Sequence, residues 1–95
     1  MNKDNILKRI KKLAELCEET EPTFNEMMNM DKLFTQDLIS VDNMYLQVKQ
    51  DDYSPIDLID IMKECNCIWK KRYKIKEVGW NEYNNIDRKI EESLR

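Results

Sequence analysis

Apolar residues in this chain recur at spacings of three and four, the signature of helices with one buried face. Ile6, Ile10, Leu13 and Cys17, widened by Leu7, Ala14 and Leu16, predict a first helix over about residues 4–19, with Lys8, Arg9, Lys11 and Lys12 on its outer face. Pro22 ends it, because proline disfavours helical geometry in the residue before it, Glu21. Thr23 and Glu26 then form a T-x-x-E capping box, and Phe24, Met27 or Met28, Met30, Phe34, Leu38, Val41, Tyr45 and Val48 carry the rhythm onward. They predict a second helix over 24–50, about 40 Å long. Its weak point is expected at residues 39–43, where β-branched residues and Asn or Asp lower helix propensity.

Ser54, Pro55 and Asp57 give the sharpest local signal: an N-cap, a proline in the first helical position and an acid three residues after the cap. They open a third helix over 55–77. Leu58, Ile61, Met62, Cys65, Ile68 and Trp69 share an arc of about 120° on it. Arg72 and Lys76 stand on the same arc, so the apolar stripe is expected to stop near Trp69. Gly79 is a natural C-terminal stop, and Tyr83, Ile86, Ile90 and Leu94 mark a fourth helix over 81–94. An unbroken helix from 55 to 94 is the competing reading, since an interior glycine costs only about 1 kcal/mol. The expected architecture is a single all-α domain over residues 1–95, a bundle or hairpin of three to four helices with short loops near 20–23, 51–54 and 78–81.

Composition supports this. Two prolines and one glycine suit a β-rich fold poorly, because such folds need those residues at their many turns. A chain of 95 residues buries only about 60–65% of its unfolded surface, so pairing with a second copy or with a partner is expected. No apolar run approaches a membrane span of about 18 residues, and the N-terminal stretch has no secretory pattern; a cytoplasmic protein without a membrane partner is expected. Three cysteines, an odd number, fit a reducing compartment rather than a disulfide framework.

The available chemistry is narrow. With no histidine, the commonest general base and metal ligand is missing, and with it the Ser-His-Asp, Cys-His and H-E-x-x-H arrangements. One glycine cannot build a Gly-rich phosphate loop. Cys65 and Cys67 point about 200° apart on a helix and cannot chelate one ion there. Acid pairs such as Asp51/Asp52 or Asp57/Asp60 arise by chance among 19 acidic residues. No catalytic, metal or cofactor role is assigned, and a non-enzymatic protein is expected. Y-x-x-x-D occurs twice, at Tyr53 to Asp57 and Tyr83 to Asp87, and a small helical hairpin ending in such an element resembles the substrates and partners of Gram-positive type VII secretion. That family's Trp-x-Gly turn is absent, Gly79 and Trp80 standing in reverse order, and no family is assigned on these residues.

Charge changes the picture most. The net charge of −3 hides strong segregation: +3 over residues 1–17, −9 over 18–67, +4 over 68–78 and −1 over 79–95. The acidic middle, with Glu26, Asp31, Asp37, Asp42, Asp51 and Asp52, offers a surface for a protein partner that is itself basic. Dense carboxylates on a helix imitate a nucleic-acid backbone, a device suited to inhibitors of nucleic-acid-handling proteins, and small histidine-free helical chains of this composition are frequent among phage and mobile-element regulators. The basic stretch forms a collar of Trp69, Lys70, Lys71, Arg72, Tyr73, Lys74 and Lys76 where the third helix is expected to leave its core. The expected function is a regulatory protein–protein interaction, with a homodimer as the expected oligomer. The alternative is nucleic-acid binding by residues 69–76, with Lys and Arg on phosphates and Trp69 or Tyr73 stacked on bases.

Overall fold

The computed structural model describes residues 2–30 and 36–94. Among them the chain is all-α, with five helices: α1 (Lys3–Glu19), α2 (Phe24–Met28), α3 (Gln36–Lys49), α4 (Pro55–Val78) and α5 (Trp80–Ser93). None of them is long and apolar enough to cross a membrane.

The starts of α1, α2 and α4 follow from local chemistry. The Asn2 side chain accepts from the Asp4 N–H to open α1. Both halves of a capping box form at Thr23/Glu26 and again at Ser54/Asp57, where Pro55 takes the first turn. Between α3 and α4 the chain turns through Asp51, which adopts the left-handed conformation at φ 57°. The N–H groups of Asp51 and Asp52 donate back to the Val48 and Gln47 carbonyls, satisfying the helix end. Lys3 then reaches across from α1 to the Asp51 carboxylate at 2.9 Å and to the last α3 carbonyl, Lys49, at 3.1 Å.

Helix α1 packs mainly on α3 and next on α4, and α5 packs on α4. Ile6, Ile10, Leu13 and Cys17 interlock with Val41, Met44 and Val48 of α3 and with Ile61, Cys65 and Ile68 of α4. This three-helix core carries most of the apolar burial that holds so small a chain together.

The expected helix over 24–50 is corrected. It ends after Met28, at Asn29, whose side chain turns back to donate to the Asn25 carbonyl at 3.0 Å. An asparagine that bonds its own backbone competes with the helix, which explains a stop there. Residues 39–43, the expected weak point, lie inside unbroken α3. Helix α2 buries nothing: Phe24 is 73% exposed and Met28 71%, so the Phe24–Met27–Met28 group is surface rather than core. Phe34 of the predicted stripe lies outside the described residues. The end of the α4 stripe is also corrected, because burial continues through Arg72 and Ile75 to Trp80 at the start of α5.

Candidate interaction surface

Arg72 is the largest fully buried side chain, with no exposed area. Its Nε donates to Asp37 Oδ2 at 3.0 Å, and its Nη1 donates to both the carbonyl and the hydroxyl of Thr20 at 3.3 Å. The face of Trp80 lies 5.0 Å from the guanidinium carbon, and its indole N–H donates to the same Thr20 carbonyl. Lys71 Nζ sits within 2.7 Å of Asp37 Oδ1 and 2.6 Å of Oδ2. One cluster thus joins the C-terminus of α1 (Thr20), the first turn of α3 (Asp37), α4 (Lys71 and Arg72) and α5 (Trp80). Desolvating a guanidinium is costly unless its donors are met, and here carboxylate, carbonyl, hydroxyl and aromatic face all converge on it. This cluster is a tie between helices, placed below the surface.

The collar expected from sequence therefore divides. Arg72 is buried and Lys71 is bound to Asp37, so neither stands as a free cation on the surface. Lys76 Nζ pairs with Glu19 Oε2 at 2.9 Å, which holds its ammonium above the usual lysine range through that hydrogen bond. Lys74 Nζ lies 3.7 Å from Glu77. Lys70 is exposed.

The acidic set divides as well. Asp37 belongs to the buried tie, Glu26 caps α2 by accepting from the Thr23 N–H at 2.8 Å, and Asp51 binds Lys3. Asp42 and Asp52 are exposed, and Asp31 lies outside the described residues. Of the five described, Asp37 is withdrawn from the surface, and Glu26 and Asp51 have partners within the chain.

What the structure gathers is a pair of aromatics. Trp69 and Tyr73, one turn apart on α4, are 40% and 50% exposed. Between them and α1 runs a shallow groove of about 240 Å³, lined by Lys12, Glu15, Leu16, Glu19 and Lys76. On their other flank a second depression is lined by Lys70, Lys74 and Glu77. The two rings form a ridge between these hollows, rimmed by four lysines and three glutamates. Lys12, Glu15, Leu16 and Glu19 were missed by sequence reasoning, because they join the ridge only when α1 lies along α4. The legible signal was the Trp69/Tyr73 pair itself, one helical turn apart.

Two of the three thiols, Cys17 and Cys65, are buried, and the third, Cys67, is exposed. Burial pushes Cys17 and Cys65 up, away from the nucleophilic thiolate, and Cys65 Sγ packs 3.8 Å from Met44 Sδ. Comparison with protein-family models, curated proteins and solved structures finds no match to this chain.

Proposed function

We propose that this is a non-enzymatic interaction protein that docks another protein on the α4 ridge of Trp69 and Tyr73. The observation that carries this reading is two neighbouring, half-exposed aromatic rings flanked by the ion pairs Lys76–Glu19 and Lys74–Glu77. Trp and Tyr are the residues on which protein interfaces concentrate their binding energy, and a rim of lysine and glutamate sets partner choice and orientation.

The same pairing weakens the nucleic-acid alternative. Phosphate affinity grows with the number of cations released to the backbone. Of the five in residues 70–76, Arg72 is buried and Lys71, Lys74 and Lys76 face carboxylates. The acidic-surface reading is less favoured, since Asp37 is withdrawn into the tie and Glu26 and Asp51 have partners within the chain.

The test is affinity capture from native cells with the wild-type chain and with Trp69→Ala/Tyr73→Ala, after circular dichroism shows that both are folded. A stoichiometric protein held by the wild type and lost by the variant is expected. Recovery of nucleic acid alone, or equal retention of the protein by the variant, refutes the proposal.

A further inference from the structure

Helices α4 and α5 are separated by one residue. Gly79 holds φ 84° and ψ 163°, a region essentially reserved for glycine. Helical hydrogen bonds nevertheless run up to it and away from it: its N–H donates to the Ile75 carbonyl at 2.6 Å, and its carbonyl accepts from the Tyr83 N–H at 3.0 Å. Both are the bonds that an unbroken helix would contain. Helix α5 also begins with no side-chain cap. Straightening the chain at Gly79 would offer the N–H groups of Trp80, Asn81 and Glu82 the carbonyls of Lys76, Glu77 and Val78.

The apolar pattern fits a straight helix too. At 3.6 residues per turn, Tyr83, Ile86, Ile90 and Leu94 fall within the same arc of about 100° as Leu58, Ile61, Cys65, Ile68 and Ile75. In the bent form Tyr83 and Ile86 are half-buried, and the outer end of this stripe is poorly used. Helix α5 packs on α4, and Ile90 and Leu94 remain 54% and 81% exposed.

Straightening has one local consequence. Trp80 would move to a point eight residues beyond Arg72, about 12 Å along the axis, with both side chains leaning toward the N-terminus. The indole would leave the guanidinium and the Thr20 carbonyl of its own chain, and the tie between helices would lack its aromatic member. A second copy in the same state restores it. We propose that two copies of this chain exchange α5: α4 and α5 join through Gly79 into one helix, and the Trp80 of each copy takes its place over Arg72 and Thr20 of the other. Exchange of an identical element reuses contacts the monomer already makes, so a single hinge residue is sufficient for it. The exchange does not involve the Trp69–Tyr73 ridge.

The test combines light scattering and small-angle X-ray scattering on the wild type and on Gly79→Ala. Alanine disfavours φ 84° and favours helix, so dimerisation should strengthen about tenfold or more. The joined helix takes in 24 and 14 residues with Gly79 between them, and its length of about 58 Å exceeds the closed chain's largest extent of 39 Å. Adding Trp80→Ala to the Gly79→Ala chain should return it to monomer. A Gly79→Ala chain that stays monomeric with unchanged dimensions overturns the proposal, as does a long dimer indifferent to Trp80→Ala. If Gly79→Ala does not fold, wild-type protein concentrated in mild urea and returned to buffer must yield the long dimer; recovery of monomer alone overturns the exchange.

Discussion

Replacing Asp37 should harm this protein far more than replacing Arg72, although the two form one ion pair. Asp37→Ala removes the carboxylate that faces both Arg72 Nε at 3.0 Å and Lys71 Nζ at 2.6 Å. Lys71, with 36% of its side chain exposed, can turn to water, but Arg72 has no exposure and keeps its charge in a low-dielectric setting. Removing one partner of a buried pair costs about 3–5 kcal/mol, most of it from the charge left behind. Arg72→Met has the opposite character. An unbranched apolar side chain fills most of the volume, Asp37 retains Lys71, and the Trp80 indole retains Thr20, so the loss should be about 1–2 kcal/mol. The double variant should be more stable than Asp37→Ala alone, because the stranded cation is gone. Urea unfolding followed by circular dichroism measures all three. At a slope of about 1.5 kcal/mol per molar urea, the Asp37→Ala midpoint should fall by roughly 2–3 M. An Asp37→Ala loss below about 1 kcal/mol, or an Arg72→Met loss equal to it, would show that the guanidinium is not dependent on this carboxylate.

Three further outcomes are expected. Ser54→Ala removes one half of the α4 capping box and should cost about 1 kcal/mol, lowering the melting temperature by roughly 4–8 °C; calorimetry checks it, and an unchanged transition argues that the cap is redundant with Pro55. Burial raises the Cys17 and Cys65 thiols, so the folded chain holds protons that the unfolded chain releases near the ordinary value of 9.0. Their contribution is intact below that pH and erodes above it, so urea midpoints measured upward from pH 9.0 should fall faster in the wild type than in Cys17→Ala/Cys65→Ala. Dilute peroxide should oxidise Met28, 71% exposed, well before Met44, 4% exposed; peptide mass spectrometry reads the order, and equal rates would place α2 against the body.

Local chemistry was legible from residues close together in the chain. Ser54, Pro55 and Asp57 mark the start of α4 because capping acts over three residues, and Ile6, Ile10, Leu13 and Cys17 mark a buried face because the helical repeat does the same. Arg72 shows where this ends. Its place on the apolar arc of α4 was visible, but the groups that make its burial tolerable, Asp37 and Thr20, are 35 and 52 residues away in sequence. Without them a basic residue on an apolar arc reads as the end of the core. Trp80 escaped notice for a related reason: it follows a glycine stop, and its partner Thr20 is 60 residues away. The helix expected over 24–50 failed differently. The Met and Phe rhythm carried past Asn29, a single residue whose own side chain competes for the backbone.

The opposite settings of the two tryptophans make the protein its own instrument. Trp80 is 7% exposed, lies over a guanidinium and meets the Tyr83 ring edge-on at 6.5 Å; Trp69 is 40% exposed on the ridge. Their emission should separate into a shielded component that reports whether the helices remain tied and a quencher-accessible one that reports what lies on α4. With Phe at position 69 or at position 80, either signal can be followed alone, so docking and unfolding become two distinguishable colours in one cuvette.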